Sequence, residues 1–276
     1  MPATPRPAAT VMLVRDADAG VEVFLMKRSM AGVFGGLHVF PGGKVDPADR
    51  RERWEALGRG PSDAEASAML GVASGGLGYW VACIRECFEE AGVLLAVRRD
   101  GALVELREPA LRRRVAGYRD RLNAGEDGVL GALCAAEGFT LATDQLAYVA
   151  HWITPVDQPA RYDTRFFVAR APAHQEALHD GHEAVESAWM RPEDALERFR
   201  SGGLALISPT VKNLEGLVGY ADGESLLAAK RAIDPRDIPT IRPRPRPEAA
   251  AGGVGDDAFG EEVLEVIGRG GKAADA

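Results

Sequence analysis

The order of apolar and polar positions along the chain predicts short strands interspersed with amphipathic helices. Two apolar runs, 10–14 and 21–26, are separated by the turn-rich segment 16–20, and this arrangement predicts a β-hairpin. Further strands are expected in the second half of the chain, where short apolar runs stand between polar segments. They lie at 147–153, 164–168 and 184–190.

The best-defined helix is predicted over residues 79–91. Gly92 follows it, and glycine commonly closes a helix because it adopts left-handed backbone angles without strain. A second long helix is expected to start at Pro109, since proline is tolerated in a first helical turn. Shorter helices are predicted at 128–137, 192–200, 208–217 and 224–231.

The helix that starts at Pro109 carries an apolar stripe and many arginines. The stripe consists of Leu111, Val115, Tyr118 and Leu122. The arginines are Arg112, Arg113, Arg114, Arg119 and Arg121. A solvated helix face is the simpler interpretation of this set, and a patch that faces a phosphate group is the alternative.

Three segments interrupt the periodic pattern. Residues from about 50 to 78 are predicted to be an insertion, which holds a capping box at 62–65 and then becomes rich in glycine. A helical insert is expected at about 109–140. From 241 to 276 the chain is rich in Pro, Gly and Ala, which predicts a mostly flexible tail. Its one apolar stretch is 259–267, for which docking on the body or on a partner is the alternative.

Composition and charge limit the classes of function. The 276 residues suffice for one large domain or two small ones, and a net charge of -8 disfavours general nucleic-acid binding. Three cysteines do not form a disulfide framework, and the chain has neither a signal-peptide pattern nor a long apolar run. We therefore expect a cytoplasmic protein that binds neither nucleic acid nor membrane. The oligomeric state is not determined, and a homodimer stays open.

Three glutamates carry the clearest chemical signal. On a helix, Glu86, Glu89 and Glu90 fall within one narrow arc, and the opposite arc is apolar. Like charges at these spacings destabilise a bare helix. A hard divalent cation removes this repulsion because carboxylate oxygens are its preferred ligands. A solvated acidic face is the alternative interpretation of the glutamates taken alone.

The residues around these glutamates resemble the Nudix box, G-x5-E-x7-R-E-U-x-E-E-x-G-U, where U is apolar. Its second half is complete in the sequence from Arg85 to Val93, and the turn at 40–43 lies upstream. The first half departs from the pattern, because Gly43 and Arg85 are 42 positions apart whereas the usual box spaces them by 14. The box glutamate is therefore not identifiable, and Asp46 or Asp49 is expected to replace it by pairing with Arg85.

The interrupted box is similar to that of the coenzyme A diphosphatase branch of the Nudix hydrolases. Residues 151–155, 161–167 and 207–210 resemble the same branch. The resemblance implies a Nudix domain over residues 1–240, with an α/β/α sandwich around a mixed sheet and helical insertions. It implies a hydrolase that cleaves the pyrophosphate bond of a small nucleotide, with coenzyme A or an acyl-CoA as the first choice.

The resemblance also implies roles for individual residues. Mg²⁺ or Mn²⁺ is expected on Glu86, Glu89, Glu90 and the Gly43 carbonyl, while Arg85 orients the glutamates. Glu183, just before a predicted strand, is the candidate catalytic base. Arg28, Arg161 and Arg165 are the candidates for substrate phosphate contacts, and a surface salt bridge is the alternative for each.

Two alternatives to this function stay open at the sequence level. The first is a different substrate, such as ADP-ribose, NADH or another nucleotide sugar or dinucleotide. The second is a Nudix sensor that binds a nucleotide without cleaving it. The retention of all three glutamates argues against a sensor.

Overall fold

The computed structural model describes residues 3–30, 35–181, 183–245, 262–269 and 272–273. The strands in these ranges are β1 (Arg6–Ala17), β2 (Gly20–Arg28), β3 (His38–Val39), β4 (Gly42–Lys44), β5 (Ala96–Val97), β6 (Thr140–Leu141), β7 (Ala147–Ile153), β8 (Tyr162–Arg170), β9 (Ala184–Met190), β10 (Pro239–Pro245), β11 (Glu262–Arg269) and β12 (Lys272–Ala273). The helices are α1 (Arg53–Leu57), α2 (Asp63–Leu70), α3 (Leu77–Ala91), α4 (Pro109–Asn123), α5 (Val129–Glu137), α6 (Pro192–Arg200), α7 (Ser208–Glu215) and α8 (Gly223–Arg231). Short 3-10 turns occupy 47–50, 143–145 and 235–237.

A large mixed sheet forms the centre of the molecule. Its main path runs β12-β11-β10-β7-β8-β1-β2-β3, with β4 paired to β1 and β9 paired to β2. The long strand β1 is shared along one edge between two partners, because β4 pairs with its first half and β2 with its second half. On its other edge β1 runs parallel to β8. The predicted hairpin at the N-terminus is confirmed as β1 and β2.

The two faces of the sheet are covered by different helices. Successive side chains of a strand point to opposite faces. In β1, Ala9, Val11 and Leu13 accordingly pack in the core with α3, whereas Met12 and Val14 pack in the core with α6, α7 and α8. The α/β/α sandwich expected from the sequence is therefore present.

The segment that leads from the 3-10 turn at 47–50 to α3 takes no part in the pairing of the large sheet. Residues 50–78 hold α1 and α2, and α2 begins with the capping box predicted at Ser62. The glycine-rich exit packs closely on α2, because a side chain on Gly76 would come within 2.3 Å of the Ser67 nitrogen. The second insert, α4 and α5, packs on the same side of the molecule as α3.

The prediction of a mostly flexible tail from residue 241 is wrong for the parts of it that the structure describes. β10 joins the sheet beside β7, and β11 pairs with β10. The prolines of β10 predicted an extended chain, and docking was the alternative for the apolar stretch 259–267. The β7 partner of β10 lies far away in sequence, so local composition could not show where the tail joins the sheet. The remaining tail residues, 246–261, 270–271 and 274–276, lie outside the described residues.

The three cysteines, Cys83, Cys87 and Cys134, are buried free thiols. Burial raises the pKa of the Cys83 and Cys87 thiols well above the usual value. In the ranges that the structure covers, no helix has the length and apolar character needed to cross a bilayer.

Candidate active site

The glycines of the turn at 40–43, which begin β4, lie directly against α3. The Gly42 amide donates a hydrogen bond of 2.7 Å to Glu90 Oε2. A Cβ atom on Gly43 would stand 2.4 Å from Glu86 Oε1, which is closer than such atoms approach in proteins. The turn therefore needs glycine at position 43 because the backbone itself is in contact with the carboxylate.

The helix α3 presents its glutamates to this turn and its apolar face to the core. Its buried residues include Trp80, Ile84 and Phe88. Gly92 ends the helix with φ of 70° and donates from its amide to the Phe88 carbonyl at 3.0 Å, so the predicted C-terminal glycine is confirmed. The side chain of Glu90 is 7% exposed and that of Glu89 is 28% exposed, so the cluster is open to solvent on the Glu89 side.

Arg85 is the centre of an ion-pair network beside the cluster. Its guanidinium is 3.0 Å from Asp49, 2.9 Å from Glu86 and 3.1 Å from Glu89. Asp49 is 2% exposed, whereas Asp46 is 3.6 Å from Arg85 and mostly exposed. Of the two aspartates that the interrupted box left open, Asp49 is therefore the one that pairs more closely with Arg85.

The buried glutamates resist ionisation when no cation is bound. Burial raises the pKa of Glu86 to about 7, although the charge of Arg85 opposes this shift. Burial and the neighbouring Glu86 raise the pKa of Glu90 well above its usual value. A hard divalent cation would stabilise the ionised forms of both, so the chemistry of the donor set fits Mg²⁺ or Mn²⁺.

The carboxylates of Glu86, Glu89 and Glu90 are held by protein donors, and they do not surround a single point. Arg85 binds Glu86 and Glu89, and the Gly42 amide binds Glu90. Accordingly, no three potential ligand side chains within the described ranges are already arranged as a coordination shell. The residues that could hold a cation are Glu86, Glu89 and Glu90, with the backbone of Gly43 against them.

Arg28 and Glu183 lie at the edge of the same cluster. Arg28 Nη2 donates to Glu183 Oε2 at 2.7 Å, and Nη1 is 3.8 Å from Glu90 Oε1. The side chain of Glu183 is 61% exposed. The structure therefore brings these two candidates, one acidic and one basic, next to the three glutamates of α3.

Arg161 and Arg165 do not lie in this cluster, and their assignment to substrate contact is not supported. Arg161 is 8% exposed and donates to the carbonyls of Thr154 and Ala3. Arg165 is 1% exposed and pairs with Asp163. Both guanidinium groups are enclosed by protein acceptors, so a phosphate could reach them only by displacing the surrounding structure.

The buried partners of Arg165 were not predicted from the sequence. His151 Nε2 lies 2.6 Å from Asp163 Oδ1, and its Nδ1 lies 2.8 Å from Thr240 Oγ1. Arg165 also contacts the His151 ring and faces the Tyr79 ring at 5.4 Å. The motif at 151–155 was noticeable in the sequence, but nothing local indicated that its histidine is buried.

A cleft of about 210 Å³ opens beside Glu89, between the two inserts. Its walls come from the turn at 46–49, from α1, and from the end of α4, the start of α5 and the loop between them, and they include Trp54, Leu122 and Leu130. An ion pair of 2.6 Å between Arg51 and Asp127 joins the two inserts near the cleft. The inserts thus extend the surface next to the carboxylates beyond what α3 and the glycine turn provide.

Comparisons with known proteins agree with this geometry. A family model described as the NUDT19 Nudix domain matches residues 63–217, more than half of the chain. Acyl-coenzyme A diphosphatase NUDT19 of Gallus gallus is 28% identical over 249 residues, which cover 77% of this chain and 65% of that protein. The protein of the same name from Homo sapiens is 28% identical over 232 residues, which cover 73% of this chain and 62% of that protein. The chain therefore spans somewhat less than two thirds of the length of these relatives.

A solved structure has the same architecture. The crystal structure of a NUDIX hydrolase from Alicyclobacillus acidocaldarius superimposes with a TM-score of 0.65 at 27% identity, and the match covers 82% of this chain and 96% of that chain. The shared fold, the glutamates of α3 and the match over 63–217 lead to one conclusion. The chain belongs to the Nudix hydrolases, in the family of the NUDT19 Nudix domain.

Proposed function

We propose that this chain is a Mg²⁺- or Mn²⁺-dependent hydrolase that cleaves the pyrophosphate bond of a small nucleotide, with coenzyme A or an acyl-CoA as its preferred substrate. The observation that carries the proposal is the packing of Glu90 and Glu86 against the backbone of Gly42 and Gly43. Glu89, on the same helix face, is linked to Glu86 through Arg85. Three partly buried carboxylates beside one backbone turn are a suitable donor set for a hard cation.

The protein residues divide the catalytic work. When bound, the cation neutralises the charge that develops on the phosphate oxygens and acidifies a water molecule. Glu86, Glu89 and Glu90 would hold it, and Arg85 keeps Glu86 and Glu89 in place through its ion pairs. Glu183, which is exposed and adjacent, is the proposed base that accepts the proton of the attacking water.

Arg28 is the residue proposed to contact a substrate phosphate. Its guanidinium lies between Glu90 and Glu183 and is 27% exposed, so it stands where the diphosphate would meet the carboxylates. A cation at this position attracts the substrate and offsets the charge of the surrounding acids. Arg161 and Arg165 have no part in this proposal, because both are buried in other contacts.

The choice of coenzyme A rests on the relatives and on the cleft. The two NUDT19 relatives are named as acyl-coenzyme A diphosphatases. The cleft between the inserts adjoins Glu89 and combines apolar walls with polar edges. Its charged lining consists of five acids, Asp46, Asp49, Glu89, Glu126 and Asp127, and two arginines, Arg53 and Arg85. The excess of acids disfavours a further phosphate and suits the uncharged pantetheine arm.

A direct comparison of substrates tests the proposal. We expect the purified chain with Mg²⁺ or Mn²⁺ to cleave coenzyme A and acyl-CoAs with a higher kcat/KM than ADP-ribose, NADH or diadenosine polyphosphates. Glu90→Gln should reduce kcat by about 100-fold or more with the fold intact, while Glu186→Gln, which changes an exposed acid on β9, serves as the matched control.

Two results would contradict different parts of the proposal. A tenfold preference for ADP-ribose or a dinucleotide over every CoA species would overturn the choice of substrate and leave the hydrolase in place. Nucleotide binding without any cleavage would identify the chain as a sensor instead of an enzyme.

A further inference from the structure

Arg119 differs from the other arginines of α4 because its side chain lies against the end of the catalytic helix. Its Nε donates to the Glu89 carbonyl at 2.9 Å, and its Nη2 donates to the Glu90 carbonyl at 2.8 Å. The last four carbonyls of a helix have no donor within the helix. Arg119 thus satisfies the backbone of two of the residues proposed to hold the cation.

The same guanidinium reaches the segment that leads to Glu183. Nη2 of Arg119 also donates to the Leu178 carbonyl at 2.9 Å, and the Leu178 amide donates to the Ala91 carbonyl at 2.9 Å. Two residues later, the Asp180 carboxylate accepts hydrogen bonds of 3.2 Å from the Glu183 amide. A continuous series of contacts therefore joins Arg119 to both acidic parts of the site.

Gly92 leaves the space that this arrangement needs. A Cβ atom at position 92 would stand 2.7 Å from Nη1 of Arg119. The backbone of Gly92 also has a φ of 70°, which favours glycine. The glycine that closes the Nudix box therefore serves both to end α3 and to admit the guanidinium from the insert.

We propose that Arg119 is a positioning residue of the active site, which holds the Glu89–Glu90 end of α3 and the segment before Glu183 in a fixed relation. The proposal rests on the metal-dependent function proposed above. It gives the second insert a role in catalysis, because α4 supplies the guanidinium that holds this end of α3. An ordinary capping contact would stabilise the helix, whereas this one also sets the relative position of groups that must act on one cation.

Binding of Mn²⁺ to the substrate-free protein, measured by calorimetry, separates these two roles. We expect Arg119→Met to weaken Mn²⁺ binding by about 10- to 100-fold, the usual effect of removing a residue that orients metal ligands. For Arg119→Met acting on whichever of the nucleotides compared above is cleaved fastest, kcat should fall by a similar factor while KM stays within about threefold.

Arg113→Met is the matched control, because Arg113 lies on the same helix with an exposed side chain and loses the same charge. It should bind Mn²⁺ as the unmodified chain does. Arg119→Lys keeps the charge but lacks the planar guanidinium whose Nε and Nη2 reach the three carbonyls, so its Mn²⁺ affinity should lie between those of the unmodified chain and Arg119→Met. If Arg119→Met does not fold, the lysine variant decides the question.

The proposal is overturned if the folded Arg119 variants bind Mn²⁺ within twofold of Arg113→Met, even if they unfold at a lower temperature. That outcome would leave Arg119 a structural cap and the proposed function unaffected. Failure of the unmodified chain to bind Mn²⁺ would instead contradict the proposed function, and this proposal with it.

Discussion

Gly43 shows at the scale of one residue how closely the glycine turn and the catalytic helix approach. The hydrogen atom of glycine faces the Glu86 carboxylate, and any larger side chain would meet it at 2.4 Å. Glu86 is itself held by Arg85, so it cannot yield freely. A methyl group added at this position must therefore displace the Glu86 carboxylate.

We expect Gly43→Ala to reduce kcat by about 100-fold while the protein remains folded, because a displacement of about 1 Å at a catalytic group has effects of that size. Steady-state kinetics and circular dichroism of the same preparation measure the two quantities.

Gly117→Ala provides the control, since Gly117 lies in α4 with no atom within 4 Å of the added group. This variant should keep full activity and gain up to about 1 kcal/mol of stability, the usual helix preference for alanine. Full activity in Gly43→Ala would show that the turn does not constrain Glu86.

At the scale of elements, one row of residues crosses five strands of the sheet. Gly43 of β4 pairs with Ala9 of β1, which pairs with Arg165 of β8. Arg165 pairs with His151 of β7, and His151 pairs with Thr240 of β10. The row begins at the active site and becomes polar and buried at its far end, where it attaches the C-terminal strand.

This polar end predicts a pH-dependent stability. Burial lowers the pKa of His151 below 6.5, although its hydrogen bond to Asp163 opposes the shift. A group whose pKa is lowered on folding contributes stability above its unfolded pKa and loses it as the pH falls. The pKa of Asp163 is also lowered, because contacts with His151 and Arg165 outweigh its burial. Asp163 therefore stays ionised between pH 7 and pH 5, the range in which His151 is tested.

We therefore expect the unmodified chain to lose more unfolding free energy than His151→Gln when the pH falls from 7 to 5. The difference should have a slope of at most about 1.4 kcal/mol per pH unit, the limit for one proton. Urea unfolding at several pH values measures it. Parallel curves for the two proteins over this range would show that His151 does not titrate on unfolding.

At the scale of the whole molecule, the C-terminal strands extend the sheet that carries the active site. Thr240 is fully buried and is hydrogen bonded to His151, so β10 covers the polar end of the row. The other face of β10 contributes Ile241 to the second core. The strand β10, residues 239–245, is thus part of the folded domain.

A truncation after Ile238 should lower the unfolding free energy by about 2 kcal/mol or more, because it removes a buried hydrogen-bond partner and apolar packing. For a domain of this size we expect a decrease in Tm of about 5 °C or more. A truncation after Pro245 retains β10 and should be clearly less destabilising. Equal Tm values for both truncations and the full chain would show that β10 contributes nothing to stability.

Local periodicity was sufficient to predict the catalytic helix and most of the elements around it. The face of α3 that carries Glu86 and Glu90, the closing Gly92 and the strands at 147–153 and 184–190 all follow from repeats of 3.6 or 2 residues. These features depend on neighbours within a few positions, so the amino-acid order determines them without knowledge of the path of the chain.

The partners of individual charged groups were decided only by the tertiary structure. Arg165 was a candidate phosphate ligand by its residue type, yet the sheet places it beside His151 and Asp163 in the interior. Asp49 meets Arg85 across 36 positions, and Arg119 meets α3 across 30. Such contacts depend on how distant segments pack together. The sequence therefore determined the chemistry of the site and the local elements that carry it, whereas packing decided which cations serve the site and which are buried elsewhere.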